Sequence, residues 1–194
     1  MFVLSWAPAS EACGFHDDVS MSRGALNWVY PDSLHVVGAI SAAVMGKRLT
    51  VRAEEGSAGD LFGAQYNATV RTLKRFGESL VLAPGVAAVP FSVVLVESML
   101  WTRFEFVAGE LRAEFHVQGP QPGDLVVVTG DNVVREVGGD RLSPAEAHGL
   151  GLVRLYGSER QVAAFLDAFR AVASGQRSRD EPRVEAAGSK TTSQ

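Results

Sequence analysis

The densest set of donor side chains in this 194-residue chain is Cys13-Gly14-Phe15-His16-Asp17-Asp18. A thiolate and an imidazole three residues apart, beside two carboxylates, suit copper or zinc if a further donor such as His35 comes near. A working site needs three or four donors, each oriented by its own partners. The same residues also read as a small buried cysteine followed by aspartates that cap a turn. Cys13 and His16 therefore stand as candidate metal ligands beside that structural alternative. The second candidate is Glu97, embedded in Ser92-Val93-Val94-Leu95-Val96-Glu97. A carboxylate in such apolar company turns neutral unless it is paired, and Arg103 and Arg112 are the cations placed to pair it. It reads either as half of a structural ion pair or as a hydrogen-bonding group for the polar head of a ligand. The four histidines, His16, His35, His116 and His148, are scattered and form no Ser-His-Asp or Cys-His arrangement. Of these, His35 reads as a core or interface residue, His116 as exposed and His148 as structural. Gly138-Gly139 lacks the strand-turn-helix spacing and the lysine of a phosphate loop. No catalytic residue, no cofactor and no enzyme are expected.

Composition narrows the classes further. The 18 Lys and Arg against 22 Asp and Glu give a net charge of −4 with no long run of either sign. The clustered positive charge needed to grip nucleic acid or an anionic membrane is missing. A single cysteine rules out a disulfide framework and any zinc site that needs two or more thiolates. With 46% hydrophobic residues the chain can fill a real core. The longest apolar stretch of the first half, Leu34 to Met45, carries His35 and falls well short of the roughly 20 residues that span a bilayer. A soluble protein with no transmembrane segment is expected.

The ends differ from the middle. Met1 to Ala12 is apolar and ends in small residues, like the back half of a secretory signal without its basic start. The alternative is an apolar N-terminus packed on the body. Cleavage after Ala12 would expose Cys13 to metal or to a lipid anchor, so an exported or periplasmic location stands first and a cytoplasmic one second. Residues 174–194 hold only Val184 as a large apolar residue and read as a disordered tail.

Between the ends, Pro31-Asp32-Ser33 opens a helix over Leu34 to Met45 that is apolar nearly all round and reads as fully buried. Gly46 stops it. A second, amphipathic helix begins near Asp60, with Phe62, Tyr66, Val70, Leu73, Phe76 and Leu80 on one side, and ends at Ala83-Pro84-Gly85. Phe91 to Leu100 reads as a strand covered on both faces. A hairpin at Ala108-Gly109-Glu110 leads into the alternating strand Leu111 to Val117. After the Gly119 to Gly123 loop come a strand at Leu125 to Val128, a short helix at Asn132 to Val137 and a helix from Pro144. A strand at Leu152 to Leu155 and a closing helix from Ser158 to Val172 follow. Helices before and after an antiparallel sheet make an α+β layout.

The stretch Gly139-Asp140-Arg141-Leu142-Ser143-Pro144-Ala145-Glu146-Ala147, followed by Gly151-Leu152-Val153-Arg154-Leu155-Tyr156-Gly157-Ser158, resembles the C-terminal signature of the sterol carrier protein type 2 (SCP2) domain. There a glycine, a leucine and then x-P-x-x-A open a helix, and G-x-hydrophobic-x-hydrophobic-x-G-[DS] leads into the last one. The resemblance spans roughly Phe91 to Ala173. It implies an antiparallel-dominated sheet covered by helices, here with an N-terminal helical extension. Residues 1–12 are then a signal remnant, 13–83 a helical region packed on the main domain, 84–173 the SCP2-like domain and 174–194 a tail. The resemblance also implies an apolar tunnel for a lipid-like molecule and no catalytic group. Candidate ligand-binding residues are Phe91, Val93, Leu95, Met99, Phe115, Val153, Phe165 and Phe169, with Glu97, though the apolar ones also read as a solid core. The expected function is a non-enzymatic binding or accessory protein enclosing a lipid, a sterol-like compound or a quinone. The alternatives are a structural or protein-interaction module with a solid core, and an exported metal-binding protein that uses Cys13 and His16.

Overall fold

The computed structural model describes residues 23–50, 63–81, 90–108, 110–139 and 141–180. In chain order its elements are α1 (residues 23–29), α2 (Ser33–Met45), α3 (Ala64–Val81), β1 (Phe91–Leu95), β2 (Leu100–Val107), β3 (Glu110–Val117), β4 (Leu125–Thr129), α4 (Asp131–Gly138), α5 (Pro144–Gly149), β5 (Arg154–Tyr156) and α6 (Glu159–Asp180). The five strands form one sheet in the order β3-β2-β1-β4-β5. Only the β1–β4 pairing is parallel, and the other three are antiparallel. This is the expected α+β class, and its antiparallel-dominated, helix-covered sheet is consistent with an SCP2-like fold.

The sheet is buried on both faces at its centre, which is why β1 and β4, buried along their whole length, are apolar except for Ser92 and Thr129. Directly opposed residues share a face. Phe91, Phe104 and Leu125 therefore point one way, and Val94, Trp101 and Val128 the other. On the first face, Phe91 stacks on Phe104 with centroids 4.8 Å apart and meets the edge of Phe165 at 5.7 Å. Phe169 joins Phe165 to Phe76 at 5.6 and 5.9 Å, so α3 and α6 close over this face. Helix α3 buries Leu73, Phe76 and Leu80 and exposes Arg71, Lys74, Arg75 and Glu78, the split its spacing implies. On the second face Tyr30, in the turn between α1 and α2, lies 6.2 Å from Trp101 and 5.1 Å from Tyr156.

Several boundaries differ from the sequence reading. Helix α2 is not buried all round: Ser33, Val36, Ile40 and Ala43 form its inward stripe, while Leu34 and Met45 are exposed. Its outward side is largely Gly38, Ser41 and Ala42, small residues that raise apolar content without needing cover. Asp32, which has φ 72, gives it no side-chain cap, and its first amide, that of Ser33, donates to the Tyr30 carbonyl at 3.1 Å. The N–H of Leu34 donates to Asn27 Oδ1 at 3.3 Å. The single strand expected over Phe91 to Leu100 is a hairpin, in which β1 stops at Leu95 and residues Val96 to Met99 turn the chain into β2. The last strand begins at Arg154, because Gly151 (φ 71) and Leu152 still belong to the turn that enters it. Helix α6 continues past Ala173 to Asp180, into the stretch read as tail. The features placed at Asp60, Phe62 and Ala83-Pro84-Gly85 lie outside the described residues, as does the remainder of the tail.

Candidate functional site

Helix α1 stands over one end of the second sheet face and leaves an open groove there. Its lining includes Leu26, Val29 and Tyr30 from the α1 side and Met99, Trp101 and Val117 from the β1–β2 turn, β2 and β3. The groove has a volume of about 600 Å³. At this end of the sheet β3 carries a bulge opposite Trp101 and Thr102, where His116 takes φ 62 before Val117 pairs again with Trp101. The rim formed by His116 to Pro120 is shared with a more polar cleft of about 560 Å³ that reaches Arg103, Glu114 and Gln121.

Among the described residues Arg103 is the one lysine or arginine in either lining, and its charge is already matched. Its Nε donates to Asp124 Oδ2 at 3.0 Å and its Nη1 to Glu105 Oε2. Burial by itself pulls the guanidinium pKa down, but the hydrogen bonds to Glu105 and Asp124 outweigh it and hold the group above its usual value. Asp124 also accepts from the Ser92 hydroxyl at 2.7 Å and the Gln121 amide at 3.0 Å, which satisfies a carboxylate with almost no exposure. Tyr30 feels this cluster: burial first, and then the negative charge of Asp124, raise its phenol above the ordinary value. A pair of aromatic rings beside an apolar wall, with a closed polar network at one end, can take up an apolar molecule and hydrogen-bond one polar group. Among the described residues nothing in it is arranged as a nucleophile with a base.

The residues singled out from the sequence fall elsewhere with one exception. Phe91, Val93, Leu95, Phe165 and Phe169 lie in the closed core, four of them buried to 2% or less and Phe165 to 3%, with the phenylalanine rings in mutual contact. Val153 is buried just before β5, and Phe115 is half-buried on β3. Met99 alone of that set lines the groove. Glu97 is not in a strand and pairs with neither Arg103 nor Arg112. It sits in the β1–β2 turn, exposed as a residue, with its carboxyl turned against Gly130 and accepting from the Asp131 N–H at 3.1 Å. Burial raises its pKa, against the lowering effect of that amide bond at the start of α4. Arg103 pairs with Asp124 and Glu105 instead, and Arg112 only approaches Glu105 at 3.9 Å. Among the described residues the buried carboxylates are Asp124 and Glu136, the latter bound to Arg141 at 2.6 Å. Cys13 and His16 lie outside the described residues. His35 and His148 are exposed on α2 and α5, and among the described residues no three His, Cys, Asp or Glu gather to hold a metal.

Sequence reasoning missed Tyr30, Trp101 and the Asp124 network. Asp124 had a usable signal: an acidic residue directly before the uninterrupted apolar strand Leu125 to Val128, with Ser92 the one polar residue of the other central strand. Tyr30 had none, since it occupies a turn.

No protein family model matches the chain, and no curated protein matches it. Among solved structures it matches the stereoselective inverting sec-alkylsulfatase Pisa1 from Pseudomonas sp. at 17% identity and TM-score 0.34, over 40% of this chain and 12% of that one. A double mutant of the same sulfatase matches at TM-score 0.35 with the same coverage. The chain thus spans about an eighth of the length of the sulfatase. It also matches a conserved hypothetical protein of Thermus thermophilus, TT1886, suggested to be a sterol carrier protein, at 20% identity and TM-score 0.30. That alignment covers 61% of this chain and 93% of TT1886.

Proposed function

We propose that the protein is a non-enzymatic binding or accessory protein that holds one apolar small molecule, of the lipid, sterol-like or quinone kind, in the groove between α1 and β2. The observation that carries this reading is the groove itself. Its volume of about 600 Å³ lies inside the usual range for small-molecule sites, roughly 300 to 1,000 Å³. Tyr30 and Trp101 supply flat apolar surface, and the Tyr30 hydroxyl and the polar cleft beyond the His116 rim supply a partner for one polar group. The tightly packed phenylalanine cluster between the sheet and α3 and α6 supports the groove, and not the core, as the place for a ligand.

The test is extraction of the purified protein followed by mass spectrometry, with titration of Nile red as an apolar fluorescent probe. Binding of the probe, displaced by the extracted compound and weakened by about tenfold or more in Trp101→Ala, is expected. Phe165→Leu, a change inside the core, leaves the affinity within about twofold. No co-extracted compound together with no probe binding overturns the reading.

A further inference from the structure

We propose that two copies of this chain associate through the free edge of β3, so that their sheets join into one. Among the described residues β3 is hydrogen-bonded on one side only, by β2, and its other edge is unpaired. An eight-residue edge without proline or lysine is a template for another strand. Its sequence, Glu-Leu-Arg-Ala-Glu-Phe-His-Val, shows which strand fits.

Two identical strands that pair antiparallel in one sheet are related by a two-fold axis perpendicular to it, and the axis must pass beside a single residue if side chains are to keep their faces. Centred on Ala113, the pairing sets Arg112 opposite the second copy's Glu114, and Glu114 opposite its Arg112. On the other face it sets Leu111 opposite Phe115, twice. Moving the centre to Arg112 brings Arg112 against itself and Glu110 against Glu114. Moving it to Glu114 brings that carboxylate against itself. Both shifts place like charges face to face, which is unfavourable across strands. Of the registers centred from Arg112 to Glu114, charge complementarity selects the one on Ala113, and that register also pairs the whole of Leu111 to Phe115 with itself, so the strand is complementary to itself.

The side chains are available for this. Arg112 is 70% exposed, and its nearest carboxylate, Glu105, is 3.9 Å away. Glu114 is exposed, and no hydrogen bond or ion pair holds it among the described residues. Leu111, Ala113 and Phe115 are only half-buried. The bulge at His116 ends the regular edge, so the joint spans Leu111 to Phe115 on each copy and is small. A concentration-dependent dimer follows, in place of a permanent one.

Sedimentation equilibrium of the full chain over rising concentration tests this, with a shift from 20.7 kDa toward twice that mass expected. Arg112→Glu alone and Glu114→Arg alone each weaken the dimer by about tenfold or more. An equimolar mixture of these two variants dimerises again, because each then presents the charges that the other needs. The double variant Arg112→Glu/Glu114→Arg also dimerises, with the pairing reversed. Thermal melts of the exposed single variants that match wild type show that a lost dimer is not a lost fold. A chain that stays monomeric up to about 1 mM overturns the proposal. So does a dimer indifferent to either single substitution, or a mixture that fails to recover.

Discussion

Asp124 accepts from a hydroxyl, an amide and a guanidinium that come from β1, the loop before β4 and β2, with Ser92 and Asp124 separated by 32 residues in sequence. Its side chain is 1% exposed. Removing only the cation leaves that charge buried, and losses of this kind run to several kcal/mol. Arg103→Met is expected to lower the unfolding free energy by about 3 to 5 kcal/mol, read by urea denaturation. The further change Asp124→Asn in the same chain recovers part of the loss, since the amide carries no charge. A double variant as unstable as the sum of its single changes would show that the two residues act separately. Glu97 makes a prediction of the opposite kind. Its folded pKa is raised above the ordinary 4.5 by burial, so the folded chain holds that proton more tightly than the unfolded chain does. This proton linkage leaves stability unaffected below pH 4.5 and lowers it as pH rises through the raised value. Glu97→Gln keeps an acceptor for the Asp131 amide and removes the charge. The variant should melt with wild type near pH 4 and above it once pH has passed the raised value, and a difference in melting that is the same at every pH would refute the assignment.

At the level of elements, close approach and open space give two glycine substitutions opposite signs. A methyl group at Gly77 in α3 would lie 2.5 Å from Phe104 and 2.9 Å from Leu111, so the helix must lift from the sheet. Gly77→Ala is expected to destabilise by about 1 to 3 kcal/mol despite the better helix propensity of alanine. A methyl group at Gly38 in α2 meets nothing within 4 Å, and Gly38→Ala should stabilise by about 0.5 to 1 kcal/mol. Thermal melts of both variants check the pair. The same elements show what a sequence makes legible. Helix α3 could be read because its apolar stripe alternates with charge, and β3 because Arg112, Glu114 and His116 interrupt Leu111, Ala113, Phe115 and Val117 at every second place. Helix α2 was misread because Gly38 and Ala42 on its exposed side register as apolar yet lose little in water, and because Leu34 and Met45 at its two ends are exposed in spite of their apolar side chains. The end of β1 was missed because Val96 continues its apolar run into the turn, and a turn made with Met99 at φ 53 has no glycine or proline to announce it. The groove was not legible at all. Tyr30 and Trp101 are 71 residues apart and meet only because α1 lies on the far face of the sheet, so no local spacing reports the site.

For the molecule as a whole, one continuous core includes Leu26, Val36 and Ile40 from the first two helices and Leu73, Phe76 and Leu80 from the third, together with both faces of β1 and β4. The helices are walls of the fold, and a fragment beginning at Pro84 would bare the apolar surfaces that they cover. Calorimetry of that fragment should show a broad, weakly cooperative transition where the full chain gives a sharp one. A fragment that melts as sharply as the full chain would make residues 84–194 an independent domain. The order of these walls along the chain also matters during synthesis. On the ribosome α1, α2 and α3 emerge first, whereas the strands they cover and the last helix come afterwards. Phe76 meets the edge of Phe169 only after the last helix has been made. At ribosomal speeds of roughly 5 to 20 residues per second, the apolar side of α3 waits several seconds in the open. The nascent chain is therefore most exposed to misassociation, and most in need of a chaperone, in its first half, and it becomes safe only when α6 closes over the sheet.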